Sequence, residues 1–113
     1  MHELPVTEQI LNVVLEHARQ AGAGRVVQVN LVIGDLTSFV DESIQFYFDF
    51  LARGTEAEGA TLHIRRIPAR VRCHACQAEF APDGVDWRCP QCGGLGGEVL
   101  AGRESYIESI EVE

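Results

Sequence analysis

Positive charge is scarce in this 113-residue chain: nine basic residues stand against 17 acids, a net charge of −8. Binding to nucleic acid needs cations that displace phosphate counterions, so that role is disfavoured. Arg65, Arg66, Arg70 and Arg72 make the one basic concentration, and they read as a solvated stretch of strand. No apolar run approaches the roughly 20 residues that cross a bilayer. No basic segment followed by an apolar run opens the chain as a secretory signal would. The expectation is a soluble, cytoplasmic protein with neither a membrane nor a nucleic acid as partner. Also missing are a serine–histidine–acid set, a phosphate-cradling glycine loop and an open three-ligand metal site, so no enzyme is expected.

Cysteine is absent from all but one window of twenty residues, and that window holds four, as Cys73-His74-Ala75-Cys76 and Cys89-Pro90-Gln91-Cys92. Each C-x-x-C turn offers two sulfurs to one ion, and a 12-residue spacer (77–88) lets the second turn fold back on the first. That pattern points to a closed tetrahedral zinc site with ligands Cys73, Cys76, Cys89 and Cys92. Two disulfides are the alternative, in any of three pairings, but the compartment argues against them. A redox pair would stand alone at a strand-to-helix junction. Between Cys73 and Cys92 the large apolar residues are Phe80, Val85 and Trp87, too few for a core. The zinc is therefore expected to supply folding energy, and with four thiolates it leaves no position for a substrate.

Elsewhere, hydrophobic content of 46% can fill a modest core. Apolar residues recur at three- and four-residue spacing over 7–21, predicting an amphipathic helix that ends at Gly22-Ala23-Gly24. Valine-rich alternation predicts a strand over 25–33. A second helix over 41–53, capped by Asp41 or Ser38, carries the stripe Ile44, Phe48 and Leu51. Phe46, Tyr47 and Phe50 widen that stripe, predicting packing on more than one side. A second strand is expected over 61–72, bent or at an edge because of Pro68, and a third over 105–112. The fold class is thus α+β: a small three-stranded sheet with two helices, plus an inserted four-cysteine, zinc-ribbon-like module. The expected division is 1–70 with 95–113 as one domain and 71–94 as the module.

His2 opens a second possibility. The Met1 amine, the deprotonated His2 amide and the His2 imidazole can chelate one metal in a plane. Planar nitrogen coordination suits Ni(II) or Cu(II) and suits zinc poorly. On residue types alone a histidine at position two is more often a solvated chain end. His17, His63 and His74 read as solvent-facing.

End to end, the chain resembles the HypA/HybF family of hydrogenase nickel-insertion proteins. The resemblance runs through Met1-His2-Glu3, Val32-Ile33-Gly34-Asp35-Leu36, the aromatic helix from Phe46 to Phe50, Gly54-Thr55 and Glu58-Gly59-Ala60. It continues through both cysteine turns, with Gly93 after the second, to Gly102-Arg103-Glu104. It departs at Gln77, where glycine often follows the first turn, and at Asp35, where glutamate is common. The resemblance implies a nickel metallochaperone that is not an enzyme. Ni(II) would be held transiently by Met1 and His2, with Glu3 contributing through its backbone or as a neighbour. Zn(II) would be structural. Implied partners are a GTPase that acts in nickel loading and the large subunit of nickel-iron hydrogenase, with urease served by some relatives. A fourth nickel ligand and a strand-exchanged homodimer stay open. The alternative is a zinc-stapled protein-interaction adaptor without a nickel site of its own.

Overall fold

The structure is a computed structural model and describes residues 3–84 and 86–113. The expected nickel ligands Met1 and His2, and the apolar Val85, lie outside the described residues. In order, the elements are α1 (Glu3–Gln20), β1 (Val26–Gly34), a 3-10 turn (Asp35–Thr37), α2 (Asp41–Leu51), β2 (Thr61–Ile67), β3 (Arg70–Cys73), β4 (Glu79–Phe80), β5 (Gly97–Ala101) and β6 (Ser105–Val112). They form two three-stranded sheets, ordered β2-β1-β6 and β4-β3-β5. The chain divides into two compact units, one of Met1–Val32, Ser38–Arg65 and Tyr106–Glu113, the other of Ile33–Thr37 and Arg66–Ser105.

In the first unit, α1 buries Glu3, Thr7, Ile10, Leu11, Val14, Leu15 and Ala18, the single stripe that a 3.6-residue period predicts. The helix begins earlier than the periodicity at residue 7, because two of the positions buried in its first turns are polar. The Thr7 hydroxyl donates to the Glu3 carbonyl. At the other end, Gly22 takes φ 69°, Ala23 N–H reaches Ala18 O and Gly22 N–H reaches Arg19 O. Those two bonds satisfy carbonyls that the helix leaves open, and a left-handed residue between them is what glycine supplies.

Helix α2 departs from expectation in two ways. Its N-cap is Val40, which makes no side-chain capping bond, so neither Asp41 nor Ser38 is the cap. A different bond secures the start of the helix: the Glu3 carboxylate of α1 accepts the N–H of Val40 itself at 3.0 Å, the bond that a glutamate at the third helical position makes in a capping box. Nor is the helix packed on more than one side. Ile44 and Phe48 are wholly buried, whereas Phe46 is 67% and Phe50 58% exposed. Large aromatics raised the expected burial, but a helix of 11 residues whose core stripe already holds Ile44 and Phe48 turns positions 46 and 50 outward.

β1 lies in the middle of its sheet and buries Val26, Val29, Leu31, Val32 and Ile33. Gly34 N–H donates to Glu104 O, and Glu113 N–H to Arg25 O; opposite ends are joined, so β1 and β6 run antiparallel. The polar positions of the alternation are also accounted for. Gln28 bonds Asn30 and Glu111, and Asn30 bonds Ser109. That network ties β6 to one register, since a slip by one residue would turn every partner to the other face.

The second unit holds what periodicity missed. The strand expected over 61–72 is two, β2 and β3, parted at Pro68-Ala69 because proline has no N–H for a ladder. β3 then pairs antiparallel with both β4 and β5. β5 closes so tightly on β3 that a Cβ at Gly97 would lie 2.2 Å from Arg72 O; only glycine fits there. Val71, Cys73, Phe80 and Cys89 form the buried cluster, with Ala78 and Trp87 packed on it. Near its start, Leu36 N–H donates to Gly102 O, and a Cβ at Gly34 would meet that same carbonyl oxygen at 2.0 Å.

Candidate metal centre

The two cysteine turns are built alike. In the first, Cys73 N–H donates to Ala78 O and Gln77 N–H to Cys73 O; in the second, Cys89 N–H donates to Gly94 O and Gly93 N–H to Cys89 O. Each turn also aims an amide at its first sulfur, Ala75 N–H at Cys73 Sγ and Gln91 N–H at Cys89 Sγ, both at 3.4 Å. Gly94 N–H adds a bond to Cys92 Sγ. Amide dipoles pointed at sulfur stabilise thiolate, which is the form that binds metal. The fifth residue of each turn is left-handed: Gly93 at φ 75°, and in the first turn Gln77 at φ 67°. The departure from glycine noted at position 77 is thus a backbone strain.

The cysteines converge. All four Sγ atoms lie within 4.8 Å of one another, with Cys73–Cys92 and Cys76–Cys89 each at 3.6 Å. Disulfide sulfurs sit at about 2.05 Å, so these are four free thiols and none of the three two-bridge pairings is formed. A tetrahedron with zinc–sulfur bonds of about 2.3 Å has edges of roughly 3.8 Å. The donor set and spacing therefore fit one tetrahedral ion. Cys73 and Cys89 are buried and Cys76 and Cys92 exposed, so the cluster has an inner and an outer side.

Protonation leads to the same requirement. The Cys76 amide, more than any other neighbour, lowers the Cys73 thiol to about 7, and the Cys92 amide likewise lowers Cys89. The Ala78 amide pulls Cys76 down too, but desolvation and the three neighbouring thiols push it up to about 12. Crowded thiols cannot all ionise beside one another. A cation at their centre removes that obstacle, since a coordinating thiol is deprotonated outright.

Each arginine of the basic stretch from Arg65 to Arg72 faces a carboxylate: Arg65–Glu108 at 3.1 Å, Arg66–Asp35 at 3.0 Å, Arg70–Glu79 at 3.6 Å and Arg72–Glu98 at 3.0 Å. Such pairs leave little charge for phosphate. His17, His63 and His74 are exposed, as expected. Among the described residues no helix is long and apolar enough to cross a membrane. Glu3, the one expected nickel-site residue that is described, is 6% exposed, and its carboxylate serves the start of α2. Sequence reasoning missed that tie: the spacing of 37 residues between Glu3 and Val40 carries no local pattern.

Fold and cluster together define a small α+β metal-binding protein with a four-thiol centre. The family model described as "Hydrogenase/urease nickel incorporation, metallochaperone, hypA" matches residues 1–112. Hydrogenase maturation factor HypA of Dehalococcoides mccartyi is 42% identical over 113 residues, covering all of this chain and 95% of that one. Its counterpart in Caldanaerobacter subterraneus is 42% identical over 114 residues and fully covered on both sides. Two solution structures share the fold: one of HypA protein, with a TM-score of 0.71 at 23% identity over 100% of this chain and 97% of that one, and one of the Ni metallochaperone HypA from Helicobacter pylori, with 0.64 at 22% over 99% and 97%. The chain belongs to the HypA family of nickel metallochaperones for hydrogenase maturation, which are not enzymes.

Proposed function

We propose that this protein binds Ni(II) reversibly at its N-terminus and delivers it to the large subunit of nickel-iron hydrogenase, working in the cytoplasm with a nickel-loading GTPase. The Met1 amine and the amide and imidazole of His2 supply planar nitrogen donors, and at least one position stays open for the recipient's ligand. Glu3 supports the site from the first turn of α1. Zinc, held by Cys73, Cys76, Cys89 and Cys92 in the module 71–94, is structural and does not travel. The domain formed by 1–70 and 95–113 carries the nickel.

The observation that carries this reading is the full-length family match, which begins at residue 1 and so includes the Met-His-Glu start. Chemistry adds a division of labour. Four converging thiols fill a tetrahedron, whereas a donor must leave room for attack on the metal. The anchoring of Glu3 through Val40 N–H supports a fixed backbone at the point where the chelating residues join α1.

The test is nickel titration of the native chain, of His2→Ala and of a chain extended by one residue ahead of Met1, with zinc content followed in parallel. Nickel binding should fall in both variants while zinc stays at one equivalent. Equal nickel binding by all three sinks the N-terminal site.

A further inference from the structure

We infer that the outer face of α2 is a docking surface for a protein partner that presents an apolar groove rimmed by lysine or arginine. Phe46 and Phe50 stand one helical turn apart, 67% and 58% exposed. A soluble surface seldom leaves two such rings side by side in water unless a partner covers them. They do not shield each other fully either: Phe46 meets Tyr47 edge-on at 5.5 Å, and Phe50 carries the Arg53 guanidinium over its ring at 5.2 Å. That guanidinium displays the chemistry the face accepts, a cation lying on an aromatic ring. On the same exposed side of the helix lie Glu42 and Asp49, four residues before Phe46 and one residue before Phe50.

Charge selects the occupant. Two copies of this chain would bring two charges of −8 together, a like-charge encounter that opposes association. Area argues the same way. At about 200 Å² per phenylalanine, the exposed parts of the two rings amount to roughly 250 Å², well under the ~800 Å² per partner of a stable interface. The face suits a transient contact in which two aromatic anchors enter a groove and carboxylates engage its cationic rim. Aromatic anchors of this kind carry a large share of binding energy, and rim charges set the rate of encounter.

This inference rests on the reading that the protein hands its cargo to partners, and its experiment separates the two. The native chain, Phe46→Ala/Phe50→Ala and Glu42→Gln/Asp49→Gln are tested by surface binding against the purified maturation GTPase and the purified hydrogenase large subunit. Nickel and zinc content and self-association by sedimentation are followed alongside. The phenylalanine pair should weaken binding to at least one of the two proteins by about ten- to thirtyfold. The carboxylate pair should slow association and flatten its salt dependence. Melting temperature and both metals should stay as in the native chain. Unchanged binding in the phenylalanine pair, no binding of either protein by the native chain, or a self-association that the pair abolishes each overturns the docking surface. Loss of nickel on His2→Ala with partner binding intact leaves the surface standing, and failure of the nickel site would appear in the metal assay alone.

Discussion

Gln77 and Gly93 hold the same place in the two cysteine turns, and exchanging them isolates one backbone torsion. Each donates its N–H to the carbonyl of the cysteine four residues earlier, at φ 67° and 75°. A side chain in the left-handed region costs roughly 1–2 kcal/mol, and glycine loses about 0.5–1 kcal/mol more backbone freedom on folding. The net gain from Gln77→Gly is therefore roughly 0.5–1 kcal/mol. The Gln77 side chain touches His74 O at 3.5 Å in an exposed position, which is worth little. The reverse change, Gly93→Gln, meets no atom within 4 Å of the new Cβ, so it adds torsional strain without a clash.

Metal binding that is coupled to folding of the turns makes the torsion read out as metal affinity. In competition with a chelator, Gln77→Gly should hold the proposed zinc about two- to fivefold more tightly than the native chain and Gly93→Gln more weakly by a similar factor. The double exchange should return close to the native value. A weaker site in Gln77→Gly, or a neutral Gly93→Gln, would refute the claim that the first turn is strained.

Three other outcomes follow from the packing. Glu3→Ala leaves Val40 N–H without its acceptor and should lower stability by about 1 kcal/mol, the usual worth of a lost cap, measured as a shift in urea midpoint at constant m-value; Glu3→Gln, which keeps an acceptor oxygen, should lose less. Stripping the metal with a chelator should erase NMR dispersion for Val71, Phe80 and Trp87 while far-ultraviolet helix signal persists, since α1 and α2 belong to the unit with its own buried stripe. The Arg19 hydrogen bond, chiefly, holds the Glu56 carboxyl below its ordinary 4.5, so the pair stabilises the fold above the ordinary carboxylate range and its contribution is lost as pH falls through the lowered value; in Arg19→Ala the Glu56 titration followed by NMR should move up toward 4.5, and an unmoved titration would show that the pair at 2.9 Å does not persist in solution.

What the amino-acid order revealed was what local pattern can carry. The stripe from Ile10 to Ala18 announces α1, and the paired C-x-x-C spacing announces four converging sulfurs, because both signals lie within a few residues of one another. β5 was illegible for the opposite reason. Its five residues begin with Gly97, show no strong alternation, and become a strand only by pairing with β3 some 26 residues away, Arg72 with Glu98. Glu3 shows the same limit: a buried glutamate reads as a breach of the amphipathic pattern until the unfilled cap of α2 appears beside it. Phe46 and Phe50 misled because apolar character predicts burial only one way, and an exposed large ring carries its information about partners.

The proposed separation of a resident metal from a travelling one follows from opposite demands on coordination. A structural ion is held best when every position is filled and the ligands are fixed by bonds of their own. Here Cys73, Cys89 and Cys92 each receive an amide N–H, and Cys73 and Cys89 are buried. Any incoming ligand would have to approach past Cys76 and Cys92 and displace a thiolate already stabilised by its neighbours. A donor needs the reverse: an unfilled position and ligands that release. Among the described residues the four cysteines are the one group of three or more metal-binding side chains within reach of one another. The cargo site proposed above draws instead on main-chain nitrogens beside one imidazole, a donor set that leaves a position open. Removing the zinc should then abolish the fold around the cysteines without removing the chelating atoms, whereas blocking the amine should spare the fold and remove the cargo.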